Sequence, residues 1–206
     1  MSHPVLEAHD LAHSYGRHQV LRDVTFAVEP GTLVGIVGEN GAGKSTLLNI
    51  LAGALTPSHG SVTIAGTMGF CPQRVILNDA LTVAQHLDYF QAAYRIANTQ
   101  RADALIDQLH YSRYRHAPVG TLSGGTKQKL NLTLALMHDP TILLLDEPYQ
   151  GFDWETYQRF WDLTLDLRHR GCAVLVISHL FFDRQRFDQL YQLNDGVLLN
   201  VAGKGA

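Results

Sequence analysis

Cysteine is nearly absent. Cys71 and Cys172 are the only two in 206 residues, they lie far apart, and neither belongs to a paired motif. That excludes a disulfide-stapled secreted fold and leads us to expect two reduced thiols in a cytosolic setting. Long apolar runs are missing as well. The most apolar stretches, Thr141 to Leu145 and Cys172 to Ile177, fall far short of the roughly 20 residues a bilayer-crossing helix needs. The segment from Met1 to Glu7 has neither the basic start nor the apolar run of a signal peptide, so a cytoplasmic protein is expected. Charge is modest: Lys+Arg 16 against Asp+Glu 19 gives a net of -3, with the basic residues scattered. No nucleic-acid footprint emerges, and the mild cluster Arg113, Arg115, Lys127 and Lys129 reads as solvated surface. Gly 18 and Pro 7 are too few for collagen-like or low-complexity classes. Histidine is plentiful at 11, yet His3, His9, His13 and His18 follow no metal-ligand spacing.

An apolar fraction of 46% is present, which excludes intrinsic disorder. A chain of this length buries roughly 70% of its extended surface, so one large core forms without staples. Val5 to Ala12 and Val20 to Val28 flank the turn-prone Tyr15-Gly16-Arg17-His18 and read as an antiparallel pair. Leu33 to Val37 is a continuous apolar run of the kind buried on both sheet faces, followed by a glycine loop and a periodic helix from Ser45 to about Ala52. Ser61 to Ala65 and Met68 to Cys71 read as short strands. From Thr82 the pattern turns helical. Thr82 and Gln85 form a capping box ahead of Val83, Leu87, Phe90 and Tyr94, and Asn98 or Thr99 caps a second helix carrying Leu105, Ile106 and Leu109. Residues 77–118 thus form a helical insert, with burial the default expectation for its aromatics Tyr89, Phe90 and Tyr94. Beyond it come a helix from about Thr126 to His138, the buried-strand run Ile142 to Leu145, and a helix from Trp154 to Arg170. Trp154, Tyr157, Trp161 and Leu165 share one side of that last helix, and Gly171 stops it. Ala173 to Ile177 is another buried strand, and Asn194-Asp195-Gly196 marks a closing hairpin.

Three motifs carry chemistry. Gly38-Glu39-Asn40-Gly41-Ala42-Gly43-Lys44-Ser45 matches G-x-x-x-x-G-K-[ST], between an apolar strand and a helix as the motif requires. Its glycines let consecutive backbone N–H groups curl around phosphate oxygens, and the helix points its positive end at the same charge. Lys44 can reach the β- and γ-phosphates, Ser45 suits Mg²⁺, and Thr46 adds a phosphate contact. Next, Ile142 to Leu145 ends in Asp146 and Glu147, at the strand edge where such folds place ligands. Asp146 can hold the magnesium shell, and Glu147 stands one residue farther, placed for a base acting on water. Last, Leu122-Ser123-Gly124-Gly125-Thr126 offers a hydroxyl and N–H groups to an anion at a helix start.

Together these residues resemble the nucleotide-binding subunit of an ATP-binding cassette (ABC) transporter, from about Val5 to Asn200. The resemblance implies an α/β fold: a RecA-like P-loop NTPase core over 1–76 and 119–206, an N-terminal antiparallel β subdomain, and the insert over 77–118, all in a single domain. It implies ATP and Mg²⁺ as cofactors and an ATPase reaction. Tyr15 matches the aromatic that stacks on adenine. Gln73 matches the glutamine that reaches Mg²⁺ and the attacking water, Asp153 the aspartate that crosses to a second subunit, and His179 the histidine that contacts the γ-phosphate. Lys44, Gln73, Glu147 and His179 are thus the expected catalytic set. ATP is expected between Gly38 to Thr46 of one copy and Ser123 to Gly125 of another, or of a related cassette. A separately encoded transmembrane permease is the implied partner, docking near Gln73 to Leu77 with Arg74, Val75, Ile76, Tyr89, Phe90 and Tyr94. The chain would lie at the inner face of the cell membrane, with no nucleic-acid partner, and its compact insert resembles small bacterial exporter subunits. The alternative is a single-cassette ATPase in an assembly or mechanotransmission complex. Two positions depart from the pattern: Thr126, where the family often has Gln, and Phe152, where it usually has Leu.

Overall fold

The computed structural model describes residues 3–74, 76–179 and 184–203. Strands β1 (Leu6–Tyr15) and β2 (His18–Val28) form a hairpin across Gly16 and Arg17, and β4 (His59–Ile64) pairs antiparallel with the other edge of β1. This three-stranded sheet, in the order β2-β1-β4, covers one side of a second sheet. The second runs β5 (Met68–Cys71), β6 (Ile142–Asp146), β7 (Ala173–Ser178), β3 (Leu33–Val37), β8 (Gln189–Asn194) and β9 (Val197–Gly203). Pairing is parallel from β5 through to β8, and β9 returns antiparallel through the Asp195-Gly196 turn. The expected short strands appear with slightly shifted ends, and two of them separate: β4 joins the small sheet, β5 the large one.

Strand alternation divides the core in two. Leu143, Leu145, Val174 and Val176 point to a cluster with α4 (Gly124–Leu136), α5 (Trp154–His169), α2 (Val83–Tyr94) and α3 (Gln100–Gln108). Val34, Ile36, Ile142, Leu144, Leu175 and Ile177 point the other way, toward α1 (Lys44–Leu51) and the small sheet. Because both faces are covered, every residue of β7 is buried, and β6 and β3 are buried except at their carboxyl ends. That is why these segments read as unbroken apolar runs rather than alternating ones. The start of β3 is pinned by a polar tie, in which Asp188 accepts from the Leu33 N–H at 2.8 Å and pairs with Arg168 at the end of α5 at 2.7 Å.

The helical insert begins at the expected capping box. The Gln85 N–H donates to Thr82 Oγ1 at 3.2 Å, and the Thr82 N–H donates to Gln85 Oε1 at 2.8 Å. Burial of its aromatics is corrected for two of the three: Phe90 is half-buried against the core, while Tyr89 and Tyr94 are exposed. α2 meets the core through Val83, His86 and Leu87, so Tyr89 and Tyr94, farther along, lie exposed. On α5 the rings of Trp154, Tyr157 and Trp161 follow one another as expected: Trp161 is buried in the core with Phe160, Leu163 and Leu167, while Trp154 is 72% exposed. The row thus runs from solvent at Trp154 into the core at Trp161.

Gly69 shows how closely α4 lies on β5. A Cβ added there would stand 2.2 Å from the Ala135 carbonyl oxygen, so strand and helix backbones touch. Gly69→Ala is expected to cost about 1–3 kcal/mol through overpacking, measured as a lower urea midpoint. An unchanged midpoint would contradict this contact.

Candidate functional site

Four loops leave the carboxyl ends of parallel strands and meet at one edge. β3 runs into Gly38 to Gly43, β5 into Pro72-Gln73, β6 into Glu147 and β7 into His179. A cavity of about 220 Å³ there is lined by Asn40, Gly41, Gly43, Lys44, Ser45, Thr46, Gln73, Asp146 and Glu147, with Val20 reaching in from β2. Glu39 and Ala42 face a neighbouring cavity with Gln192, Asn194 and Asp195. Gly38 is packed beneath, where an added Cβ would lie 2.5 Å from the Leu193 carbonyl oxygen. The loop reaches α1 through Gly43 at φ 101, a left-handed conformation that suits glycine, and no side chain caps the helix start. The first N–H groups of α1 therefore point into the cavity edge without a side-chain partner, the arrangement that favours an anion. Lys44 Nζ lies over the loop, donating to the Gly38 and Glu39 carbonyls at 2.7 and 2.8 Å.

The two acids differ. Asp146 is half-buried, and its carboxyl is raised above the usual range by burial first and by adjacent Glu147 second; Lys44 and the Gln73 N–H oppose this. Glu147 is buried and takes φ 46, left-handed for a residue with a side chain. It is held on both sides. Its N–H donates to the Ile177 carbonyl at 2.9 Å, while its Oε1 accepts from the His179 N–H at 2.7 Å and meets His179 Nδ1 at 2.9 Å. His179 is brought to the site through this carboxylate rather than through the cavity wall.

Not every expected residue converges. Tyr15 ends β1 at 55% exposure with His13 edge-on at 4.8 Å, and does not line the cavity. Ser123 caps α4, accepting from the Thr126 N–H at 3.2 Å, and faces outward with Gly124. Asp153 caps α5 by accepting from the Thr156 N–H at 2.7 Å, which holds its carboxyl below the usual range. Ser123 to Gly125 and Asp153 are thus surface features, separate from the cavity within this chain. Of the implied docking residues, Arg74 and Tyr89 are exposed and Ile76 is 83% exposed; Val75 lies outside the described residues.

Sequence patterns did not point to the buried side chains that join these parts. Gln128 and Asn131, both on α4, donate to the Pro148 carbonyl at 3.3 Å and to the Pro72 carbonyl at 3.1 Å. Asn131 also reaches Cys71 Sγ at 3.2 Å. The Cys71 thiol is pushed up to about 12 by burial and then by Asp146, and Cys172 up to about 11, so neither ionises near neutral pH. Polar residues inside an apolar helical pattern were the available signal.

A mixed α/β sheet with a glycine loop at its carboxyl edge and two acids beside it defines a nucleotide-binding cassette. The sequence profile of the ABC transporter family matches residues 21–150, and the chain belongs to that family. A probable metal transport system ATP-binding protein of Thermotoga maritima is 34% identical over 85% of this chain and 75% of its own. The Nod factor export ATP-binding protein I of Rhizobium meliloti is 32% identical over 89% of this chain and 59% of its own. Much longer relatives also match, and this chain spans only 28% and 12% of two of them. A solved ATP-binding subunit of an ABC transporter superposes with a TM-score of 0.89 at 26% identity, covering 96% of this chain and 90% of that one.

The turn from Ser123 to Gly125 touches the loop after Glu147: a Cβ on Gly125 would stand 2.7 Å from the Gly151 carbonyl oxygen, whereas one on Gly124 meets nothing within 4 Å. Gly125→Ala is expected to lower the thermal midpoint by roughly 2–8 °C and Gly124→Ala by under about 2 °C. Equal midpoints in a thermal scan would contradict the contact.

Proposed function

We propose that this chain is the ATP-binding and ATP-hydrolysing subunit of an ABC transporter. It acts as one domain, with residues 1–76 and 119–206 as the core and 77–118 as the helical insert. The observation that carries this reading is the convergence of Lys44, Ser45, Gln73, Asp146 and Glu147 on one cavity beside an uncapped helix start. The triphosphate of ATP lies along Gly38 to Thr46, bound by backbone N–H groups and by Lys44 once its amine leaves the loop carbonyls. Adenine stacks on Tyr15, whose exposure leaves a ring face open.

Ser45, Gln73 and Asp146 would hold a magnesium ion. Their oxygens are hard donors, and a cation relieves the crowding that raises the Asp146 carboxyl. When bound, that ion neutralises charge on the β- and γ-phosphate oxygens. Glu147 takes a proton from water as the water oxygen bonds to the γ-phosphorus. The bond from phosphorus to the β–γ bridging oxygen breaks, and ADP and phosphate result. His179 orients the Glu147 carboxylate and donates toward the γ-phosphate.

Ser123 and Gly124 face outward, which supports the Ser123 to Gly125 turn closing over the γ-phosphate of a second copy or a related cassette, with Asp153 crossing the same boundary. Hydrolysis removes the group that joins the halves, and they part. The stroke is delivered to a separately encoded transmembrane permease at the inner face of the cell membrane. Exposed Ile76 and Tyr89 support a docking surface there. Among the described residues no helix is long and apolar enough to cross a membrane. Similarity to a Nod factor export ATP-binding protein supports an exporter-type system.

Glu147→Gln is the test. It is expected to keep ATP affinity, lower phosphate release by about 10²- to 10⁴-fold, and accumulate as an ATP-dependent dimer in size-exclusion chromatography. Turnover equal to wild type would remove Glu147 as the base, and a monomer with ATP bound would remove the closing step.

A further inference from the structure

We propose that Ser178, backed by Tyr149, is a positioning residue for ATP hydrolysis, holding Glu147 from the core side so that one carboxylate lone pair stays aimed at the attacking water. The proposal rests on Glu147 being the base.

Ser178 is the last residue of β7, is fully buried and is not among the residues that line the cavity. Its hydroxyl donates to Glu147 Oε2 at 2.9 Å. Glu147 Oε1 already has two partners, the His179 N–H and Nδ1. An ionised carboxylate offers about four acceptor directions. Among the described residues, these three contacts leave one direction, on Oε2, and Glu147 lines the cavity that Lys44 and Ser45 also line. Ser178 thus fixes the rotation of the very oxygen whose second lone pair serves as the proton acceptor.

Ser178 is itself fixed. Its side chain shares a hydrogen bond with the Tyr149 phenol. A serine hydroxyl has one proton, and here it is given to Glu147, so the phenol O–H donates and Ser178 Oγ accepts. The chain of donors therefore runs in one direction, from Tyr149 through Ser178 to Glu147 Oε2. Tyr149 is gripped in turn by Tyr157, Phe160 and Trp161, with ring centroids at 5.6, 6.0 and 6.3 Å. The aromatic face of α5 thereby reaches the carboxylate through two hydroxyls. Glu147 needs such an anchor, because its left-handed backbone is costly for a residue with a side chain and persists only when the surroundings impose it.

The experiment uses the full chain with ATP and magnesium, and compares steady-state phosphate release with equilibrium ATP binding. Ser178→Ala should lower kcat about tenfold, as expected for losing one hydrogen bond to a charged group, with KM and ATP affinity unchanged within about twofold. Tyr149→Phe should lower kcat about threefold, since the serine remains but loses its support. The deciding arm adds Ser178→Ala to Glu147→Gln. A residue acting through Glu147 costs nothing further there, whereas a general structural role reduces the residual rate again. Wild-type kcat in Ser178→Ala, with Glu147→Gln inactive, overturns the positioning role and leaves the base assignment standing. A loss expressed in KM or ATP affinity, or added in full to Glu147→Gln, also overturns it. Wild-type turnover in Glu147→Gln removes the base assignment and the proposal together.

Discussion

Parallel pairing of β3 between β7 and β8, and of β7 with β6, is the constraint on which the rest of the molecule depends. Parallel strands deliver their carboxyl ends to one edge, so the loops that follow meet however far apart they lie in the chain. Gly38 to Gly43, Gln73, Glu147 and His179 come to one edge for that reason. The pairing holds because both faces of the central strands are covered, by the small sheet and α1 on one side and by α4 and α5 on the other. Cover on both faces leaves little room for error in register, since a slip of one residue would exchange the two halves of the core.

The edge is joined to α4 by buried polar contacts rather than by apolar packing alone. Gln128 and Asn131 reach from α4 to the carbonyls of Pro148 and Pro72, the residues flanking Glu147 and Gln73. With water excluded, a displaced amide would lose a hydrogen bond and leave a carbonyl unsatisfied, a cost of about 1–3 kcal/mol each. Displacement of α4 therefore pulls on both loops. Gly125 touching Gly151 adds a direct backbone contact between the start of α4 and the turn that leads to Asp153. In our account, closure over the Ser123 turn and the placement of Glu147 are mechanically linked through these three contacts.

Much of this was legible because phosphate chemistry demands particular residues at fixed spacing. The glycine loop, the two acids and the Ser123 turn are short, contiguous and constrained by backbone geometry, as is the Thr82 capping box. Buried strands were legible because a sheet covered on both faces selects apolar runs. Less visible were features set by distant partners. Ser178 bonds a residue 31 positions away, and nothing local distinguishes it from a strand-end serine. The aromatic row of α5 was visible from helical spacing, but periodicity gives the row and not its height above the sheet, so the exposure of Trp154 emerged only from packing. Tyr89 lies exposed for a related reason: α2 meets the core by its first two turns.

The central claim is that the carboxyl edge of this sheet binds and cleaves magnesium-ATP through the glycine loop. Phosphate release from ATP by the purified chain, followed with magnesium and with excess chelator, in wild type and in Lys44→Ala, tests it most directly. Our account predicts magnesium-dependent release in wild type and loss of that release in Lys44→Ala. Release that persists without magnesium, or that is unchanged in Lys44→Ala, would contradict it.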